Sequence, residues 1–407
     1  MAAVVLVSAV GCSSSDDGGE GAEATTTAPA TSTTAGADAG TGEPTDTEAA
    51  FELPEGRLAE VEAAGLPFEE VDYPAQPDGV PWPTEEWPTG ELPEDVDPAE
   101  VEAIVDRAFG ELSTGEERID AILVAKGGEL VVEEYNGWDP DEQHPSWSMA
   151  KSVTSSLIGI LVGEGKLDIT EPVGAPEWSE ADDPRAEITL DHLLRMSSGL
   201  EWDEDYGDPD GDVLTTLGQG VDRAGYVASK PLAHPPGEYW YYSTGTSNLI
   251  ARSVAEQVGY GEDLTDWIDQ ELAEPLGIGE IRHSLDSTGL ISGGSFIDMT
   301  PQDFARFGLL YLRGGIWDGE RIVPEGWVDY SRMPTPSGDG AYGAQWWIQP
   351  DRPGVFYASG FNGQSINVVP QEDLVIVVLS ETPAGNDEDV RAGLFDAFGV
   401  AGLTPGG

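Results

Sequence analysis

Apolar residues recur with two different periods along the 407-residue chain. IDAILVAKGGELVVEEY, residues 119–135, holds two β-rich runs around Gly127 and Gly128, which predicts a hairpin. Between residues 341 and 380 the β-rich runs AYGAQWWIQ, GVFYASG, QSINVVP and DLVIVVLS are separated by glycine, proline and charged residues. The two ends of the folded part of the chain therefore predict strands.

A helical period dominates between these strands. A long run beginning near Ser148 and extending to about Glu164 has Met149, Val153, Leu157, Ile160 and Leu161 on one face. Further helix-like segments are TLDHLLRMSSGL, TSNLIARSVAEQVG with a start near Ser247, LTDWIDQELAEPLG and TPQDFARFGLLYLRGG. Two outer helices are predicted in DVDPAEVEAIVDRAFGEL, capped by Asp97 with Pro98 at the first position, and in DEDVRAGLFDAFG.

This order predicts an α+β fold, in which an antiparallel sheet is built from distant parts of the chain and flanked by helices. An all-helical domain at about residues 165–315 is inserted into it, and we expect the functional site in the cleft between the two parts. Residues 98–400 form the predicted folded domain. Residues 51–97, rich in proline, glutamate and tryptophan, predict an extended arm held on the body by Trp82 and Trp87.

Composition narrows the possible partners. The hydrophobic fraction of 39% and the charged fraction of 23% are typical of a soluble globular body, whereas the net charge of -59 is extreme. Such a charge repels nucleic acid and anionic lipid headgroups, so neither is an expected partner. Because the acidic residues are spread along the chain, they indicate a hydrated surface.

Cys12 is the only cysteine, which excludes an internal disulfide and a thiolate metal cluster. It follows the apolar run MAAVVLVSAVG and precedes a segment poor in apolar side chains, residues 13–50, which predicts a disordered tether. Residues 1–12 resemble a bacterial lipoprotein signal, which implies acylation of Cys12 and a secreted protein anchored outside the cytoplasmic membrane. A cleaved ordinary signal, or no signal, stays open because no basic residue precedes the run and Ala9 replaces the usual leucine.

The sequence lacks the motifs of two common classes of hydrolase. The chain contains no G-x-S-x-G and no H-E-x-x-H, and its four histidines, His144, His192, His234 and His283, are far apart in sequence. We therefore expect neither an α/β-hydrolase nor a zinc site, and no metal or organic cofactor.

A serine and a lysine remain for nucleophilic catalysis. Ser148 and Lys151 are three residues apart, which on a helix puts both on one face within hydrogen-bonding reach. Burial in a cleft and the helix dipole lower the pKa of a lysine, as a general base requires. The Ser148 N–H at the helix start is a candidate oxyanion donor. S-x-x-K alone is a weak signal, and a surface lysine on an amphipathic helix is the alternative.

Two later segments carry compatible chemistry. PPGEYWYYSTGTSN, residues 235–248, presents Tyr242 at the entrance of a helix, where a tyrosine can pass a proton to a leaving group. YASGFNGQS, residues 357–365, lies between two strands, and its glycines let backbone N–H groups approach a substrate. Read singly, the first is a packing cluster of aromatic residues and the second an ordinary turn.

Taken in this order, the segments resemble the serine β-lactamase and penicillin-binding-protein superfamily, specifically its class C-like serine hydrolases, over about residues 118–400. The resemblance implies that Ser148 is acylated, that Lys151 is its base and that Tyr242 is the tyrosine of Y-x-N. Ala358-Ser359-Gly360 falls on the K-T-G or H-T-G strand. The N–H groups of Ser148 and Phe361 then form the oxyanion hole, and Ser359, Gly360 and Asn362 bind substrate.

Two positions depart from that pattern. Thr244 stands where the asparagine of Y-x-N is usual, and Ala358 replaces the Lys or His that helps to hold a β-lactam carboxylate. Both departures argue against efficient hydrolysis of penicillins. SMAKSVTSSLIGILVGEGK with YSTGTSN and GFNGQ is closer to the branch of 6-aminohexanoate-oligomer hydrolases and esterases.

The sequence thus predicts a cofactor-free serine hydrolase that cleaves a small ester or linear amide through a Ser148 acyl-enzyme. The alternatives are a D-alanyl-D-alanine peptidase, a β-lactamase, and a non-catalytic penicillin-binding-type surface receptor. Contact with a membrane is expected only through a lipid on Cys12.

Overall fold

The computed structural model describes residues 51–113, 118–218, 220–381 and 386–402. The predicted signal at residues 1–12, with Cys12, and the tether at 13–50 lie outside the described residues and stay predictions. The described residues all belong to one compact unit. The finer boundaries at residue 97 and at about residues 165 and 315 also stay predictions. No described helix is long and apolar enough to cross a membrane.

The helices and strands are numbered in chain order. The helices are α1 (Arg57–Ala63), α2 (Pro98–Phe109), α3 (Ala150–Gly163), α4 (Leu190–Leu194), α5 (Asp212–Leu217), α6 (Arg223–Ala228), α7 (Thr244–Val258), α8 (Glu262–Ile268), α9 (Glu274–Leu276), α10 (Pro301–Leu312), α11 (Trp327–Arg332) and α12 (Asn386–Ala397). The strands are β1 (Ile119–Lys126), β2 (Glu129–Tyr135), β3 (Arg282–His283), β4 (Ile297–Asp298), β5 (Ile316–Trp317), β6 (Glu320–Arg321), β7 (Trp347–Ile348), β8 (Phe356–Gly360), β9 (Gln364–Val369) and β10 (Leu374–Ser380).

The main sheet joins two distant parts of the chain, residues 119–135 and 347–380, as the sequence predicts. Its strand order is β2-β1-β10-β9-β8-β7, and the neighbouring strands are antiparallel. Strand β10 is buried along its whole length, which explains why LVIVVL is continuously apolar rather than alternating. The predicted α+β fold is confirmed.

Helices cover both faces of this sheet. Val101 of α2 and Leu394 of α12 share one apolar cluster with Ile376 of β10, which covers one face. Phe304 of α10 and the apolar residues of α3 belong to the second, larger cluster with Val377 of the same strand. Alternate residues of a strand point to opposite faces, so each face of β10 packs into its own core.

Helix α3 lies deeper than its pattern predicts. The sequence indicated a helix with one apolar face, whereas all residues from Ala150 to Leu161 are buried. Small and hydroxylated side chains on the remaining faces make this possible, because their hydroxyl groups bond to backbone carbonyls. Ser152 donates to Gln345 O at 2.7 Å and Thr154 to Gly293 O at 2.8 Å. Burial of the entire helix also buries Lys151.

Two helix boundaries differ from the prediction. Helix α4 ends at Leu194, and Met196 adopts a left-handed φ of 56°, so MSSGL is a loop rather than helix. Helix α7 begins at Thr244, three residues before the predicted start near Ser247, because the Ser243 side chain caps it by accepting from Thr246 N at 3.0 Å. Thr244 therefore belongs to the first turn of α7.

The segment of residues 51–97 lies against the body through several anchors. Trp87 is buried and donates to Gln302 O at 3.2 Å, while the rings of Trp82 and Trp317 are 5.0 Å apart. This segment also contains helix α1, which its proline-rich composition did not predict. Arg57 of α1 pairs with the buried carboxylate of Asp191.

Candidate active site

Ser148 lies in a tight turn at the start of the central helix. Residues Trp147–Met149 form a 3-10 turn that continues directly into α3. The turn is fixed on the side of β4, because Ser146 N donates to Asp298 Oδ1 at 2.9 Å and Ile297 N donates to Ser146 Oγ at 2.9 Å. Trp147 has a φ of 44°, a left-handed conformation that costs a bulky residue on the order of 1–3 kcal/mol. Strain of this kind is concentrated next to the side chain predicted to react.

Lys151 is in the first turn of α3 and is only 1% exposed, so it is not a surface lysine. Its Nζ is 3.0 Å from Ser148 Oγ, 3.0 Å from Thr244 Oγ1 and 2.9 Å from Gly294 O. Burial lowers the pKa of the Lys151 amine from 10.5 to about 8, although the negative charge of Glu204 partly opposes this. A substantial fraction of the amine is therefore neutral near pH 8, as a base requires.

Tyr242 precedes the N-cap of α7 and faces the lysine. Its ring centroid is 4.8 Å from Lys151 Nζ. Burial raises the pKa of the Tyr242 phenol well above 10, and the neighbouring Tyr342 and Glu204 raise it further, while a hydrogen bond with Ser148 acts in the opposite direction. Tyr242 is therefore a neutral phenol over the whole range in which the protein is expected to work, and it can donate a proton.

The end of β8 lies against the turn that carries Ser148. A Cβ atom on Gly360 would be 2.5 Å from Ser146 O and 3.2 Å from Trp147 Cβ, so only glycine permits this approach. Phe361 follows, and its ring lies 5.4 Å from that of Trp147. The close approach brings the backbone around Phe361 next to Ser148. The oxyanion role of the Phe361 and Ser148 N–H groups stays a prediction.

The other predicted substrate-binding residues belong to the same strand end and turn. Ser359 is half-buried on β8 and is paired with Ser365 of β9. Asn362 has a φ of 66°, and its carbonyl accepts from Ser380 Oγ. Ala358 is 1% exposed and belongs to the larger core cluster. This strand position therefore offers a methyl group and no charge for a carboxylate.

Aromatic side chains surround the reactive group. The Trp147 ring contacts Phe296 at 5.6 Å and Phe361 at 5.4 Å, and Phe361 stacks on Tyr206 at 4.8 Å with an interplanar angle of 12°. The Phe361 side chain is 42% exposed, which is high for a phenylalanine. An apolar group bound beside Ser148 would cover it.

The sequence did not point to Glu204, Tyr206 or the Gly294 carbonyl. Glu204 accepts from Thr244 N at 2.8 Å and from Thr244 Oγ1 at 2.5 Å, and the Trp202 indole also donates to it. Burial raises the pKa of Tyr206, as does Glu204, whereas hydrogen bonds with Thr244 and Ser148 lower it. EWDEDYGDP contains both side chains, but one acid among many carried no distinguishing signal.

A metal site can be sought among the acidic and histidine side chains of the described residues. Among the described residues, no group of three or more His, Cys, Asp or Glu side chains is arranged to hold a metal ion. Of the histidines, His144 pairs with Asp120 of β1, and its Nε2 lies 3.0 Å from Asp120 Oδ2.

Comparison with known proteins identifies the family to which the chain is similar. Residues 105–401 match the family model described as Beta-lactamase. The chain is 29% identical over 328 residues to the 6-aminohexanoate-dimer hydrolase of Paenarthrobacter ureafaciens, covering 72% of this chain and 81% of the relative.

Solved structures share the fold. A provisionally named 6-aminohexanoate-dimer hydrolase of Bacillus anthracis has a TM-score of 0.64 at 22% identity, covering 85% of this chain and 94% of that one. A penicillin-binding protein homologue of Caulobacter crescentus has a TM-score of 0.58 at 16% identity, covering 76% and 99%. With a buried lysine beside a serine at the start of a helix, and with the family match extending over most of the chain, this protein belongs to the beta-lactamase family and is a serine hydrolase.

Proposed function

We propose that the protein hydrolyses a carboxylic ester or a linear amide through an acyl-enzyme on Ser148, with Lys151 as the base. The observation that carries the proposal is the 3.0 Å contact between Lys151 Nζ and Ser148 Oγ, made by an amine whose pKa burial has lowered to about 8. The two side chains are therefore within hydrogen-bonding distance and the amine is close to its neutral state at mildly alkaline pH.

The proton transfers balance with the side chains described. The Ser148 hydroxyl gives its proton to Lys151 as Oγ bonds to the substrate carbonyl carbon, and the carbonyl oxygen becomes an oxyanion near the Ser148 and Phe361 N–H groups. As the oxyanion collapses and the bond from the carbonyl carbon to the leaving oxygen or nitrogen breaks, the Tyr242 phenol gives its proton to the leaving alcohol or amine. Tyr242 then regains a proton from the Lys151 ammonium, which leaves the acyl group on Ser148 and Lys151 neutral. In the second half-reaction, the same transfers run in reverse with water in place of the leaving group. Water bonds to the acyl carbon as its proton passes through Tyr242 to Lys151, and Lys151 returns a proton to Ser148 Oγ as the acid is released.

A linear substrate without a carboxylate next to the scissile bond agrees best with the residues around Ser148. The half-exposed Phe361 and its aromatic neighbours offer apolar contacts, and Ala358 offers no partner to a carboxylate. The curated relative is named as a hydrolase of the 6-aminohexanoate dimer, which is a linear amide. These features favour a linear amide or ester over a penicillin, a cephalosporin or a D-alanyl-D-alanine terminus.

The test is intact-mass detection of an acyl adduct on a panel of p-nitrophenyl esters, linear amides including the 6-aminohexanoate dimer, and penicillins. We expect an adduct of the acyl mass and steady release of product from an ester or linear amide. Ser148→Ala should abolish both. Ser156→Ala is the matched control, because Ser156 is a buried serine of the same helix whose hydroxyl donates to Val153 O within that helix.

Other outcomes separate the alternatives. Activity retained in Ser148→Ala would remove the nucleophile from the proposal. A single stoichiometric adduct without turnover would support the surface receptor, and turnover of penicillins alone would support a β-lactamase. The proposed partner is a small ester or amide, and contact with a membrane is limited to acyl chains on Cys12, on the outer side of the cytoplasmic membrane. The net charge of -59 disfavours nucleic acid.

A further inference from the structure

Glu204 and Thr244 form a pair of hydrogen bonds beside the lysine. Thr244 Oγ1 donates to one carboxylate oxygen of Glu204 at 2.5 Å, and Thr244 N donates to the other at 2.8 Å. An ionised carboxylate can only accept, so the hydroxyl proton of Thr244 must point toward Glu204. What Thr244 presents to Lys151 is then a lone pair.

Because the Thr244 hydroxyl donates to Glu204 and can only accept from Lys151, the neutral Lys151 amine has one favourable orientation. Nζ lies 3.0 Å from Thr244 Oγ1 and 2.9 Å from Gly294 O, and both atoms accept. A neutral amine has two N–H bonds and one lone pair, and the two acceptors use both N–H bonds. The lone pair is left for the third neighbour, Ser148 Oγ, at 3.0 Å. A base that takes a proton from Ser148 needs this orientation.

We propose that Glu204 is a positioning residue that acts through Thr244, fixing the hydroxyl of Thr244 as an acceptor so that the lone pair of Lys151 faces Ser148. The proposal rests on the proposed function, in which Lys151 is the base. It also gives a reason for threonine where the Y-x-N pattern has asparagine. A hydroxyl can turn either way, and the carboxylate removes that freedom.

The carboxylate of Glu204 is itself held in place. The Trp202 indole N–H donates to one of its oxygens, and the Tyr206 hydroxyl lies 3.4 Å from the other. Around Lys151 the titratable groups are Glu204, Tyr206 and the phenol of Tyr242, and the two phenols are neutral because burial raises their pKa. Glu204 is thus the charged group that acts on the lysine, and its charge raises the pKa that burial lowers.

Three variants separate the hydroxyl from the charge. Thr244→Ser keeps the hydroxyl, Thr244→Val keeps the shape without it, and Glu204→Gln removes the charge and lets the hydroxyl turn toward Lys151. Glu201→Gln is the control, an exposed glutamate of the same loop. The measurement is the rate of acylation by a p-nitrophenyl ester from about pH 6 to about pH 10, the range in which a lysine of lowered pKa titrates.

We expect Glu201→Gln to keep the rate of the wild-type protein. Thr244→Val and Glu204→Gln should lower the alkaline plateau, the rate at alkaline pH where it no longer changes with pH, about 10- to 100-fold, the effect of losing one hydrogen bond to a charged group. Thr244→Ser should recover most of the rate that Thr244→Val loses, because it restores the hydroxyl group. In Glu204→Gln the acid limb should also move to lower pH, because the pKa of Lys151 falls when a nearby anion is removed. In Thr244→Val the pH at which the rate falls should stay nearer to that of the wild type, because the negative charge of Glu204 remains. If Glu204 had a merely structural role, the two variants would not differ in the pH at which the acylation rate falls while sharing a lowered alkaline rate.

A second readout does not depend on turnover. The chain has four lysines, Lys126, Lys151, Lys166 and Lys230, so the ¹³Cε resonances of labelled lysine can be titrated individually and assigned with Lys151→Met. The pKa of Lys151 should fall in Glu204→Gln and stay in Glu201→Gln. Far-ultraviolet circular dichroism and thermal unfolding establish that each variant is folded.

The outcomes keep the two proposals apart. If the wild-type protein is never acylated, the proposed function is refuted. If, in addition, the pKa of Lys151 from the ¹³Cε titration is the same in Glu204→Gln as in the wild type, the role of Glu204 is overturned as well. A protein that acylates through Ser148, but whose Glu204→Gln and Thr244→Val variants keep plateau and acid limb, overturns the role of Glu204 alone. If Glu204→Gln does not fold, equal rates in Thr244→Ser and Thr244→Val overturn it.

Discussion

Replacement of Lys151 by methionine tests the cost of keeping an amine buried. Methionine is a flexible apolar side chain of similar length that fills the same space without charge. The pKa of the Lys151 amine is about 8 in the folded protein, because burial penalises the ammonium, against 10.5 for an ordinary lysine. Below pH 8 the fold must hold a proton that it binds more weakly than the unfolded chain does. The buried amine therefore destabilises the folded state.

The magnitude follows from the two pKa values. At about 1.4 kcal/mol per unit, the difference costs about 3 kcal/mol near pH 6.5, where both states are protonated. Between the folded and unfolded pKa values the unfolded chain binds more protons, so stability rises with pH, and near pH 9.5 the cost falls to about 1 kcal/mol. The advantage of Lys151→Met should thus shrink by about 2 kcal/mol between these pH values.

The pH dependence isolates this effect from packing. Methionine leaves the Gly294 carbonyl without its lysine donor, which costs about 1–3 kcal/mol, but this loss is nearly the same at both pH values. Urea unfolding followed by tryptophan fluorescence measures the free energy of unfolding in each case. Lys166→Met is the control, because the Lys166 side chain is 46% exposed and pairs with Glu164 at the surface. The reasoning fails if Lys151→Met and Lys166→Met show the same pH-independent change.

Two further substitutions probe what holds the site. Gly360→Ala should lower the acylation rate about 100-fold or more without unfolding the protein, because its Cβ would lie 2.5 Å from Ser146 O and displace the backbone predicted to bind the oxyanion. Gly279→Ala is the kinetic control, because the nearest atom to its Cβ, Asp303 Oδ2, is 3.7 Å away. Equal acylation rates in the two variants would contradict this explanation. Arg57→Ala should lower the free energy of unfolding by about 1–3 kcal/mol, since Asp191 loses one charged partner while keeping Arg195 and Tyr330. Burial raises the pKa of Asp191, but Arg195 and Arg57 outweigh it and hold the pKa below 3.8, so this deficit should be full at neutral pH and should shrink as the solution is acidified below about pH 4. The exposed Arg107→Ala is the control, and an equal deficit there would contradict the anchoring role of α1.

Much of the fold was accessible from local sequence because its signals are local. The hairpin at Gly127 and Gly128 and the helix capped by Asp97 depend on turn and capping chemistry within a few residues, and the structure has both. The helix at Ser148 could also be predicted, because its apolar spacing is a local property. Boundaries set by tertiary contacts were less accessible: α4 stops at Leu194 and α7 starts at Thr244.

The same division holds for the site. Spacing alone put Ser148 and Lys151 on one helical face, and the order of the later segments named Tyr242 and Gly360 as candidates. The predicted chemistry required a buried lysine, but the sequence could not decide between a buried and a surface lysine. Burial depends on α7, on the Gly294 carbonyl and on the residues packed around α3, which lie far apart in sequence. The lowered pKa that the proposed role of Lys151 as a base requires is therefore a property of the tertiary structure.

Glu204 shows the limit most clearly. In a chain with 77 acidic residues, no local pattern distinguishes the carboxylate that faces Thr244 from those that face water. The sequence by itself determined which groups can react, since side-chain chemistry and helical spacing depend only on residues close together in the chain. The tertiary structure decided which of them are charged, neutral or oriented, because desolvation and hydrogen-bond polarity depend on what surrounds each group.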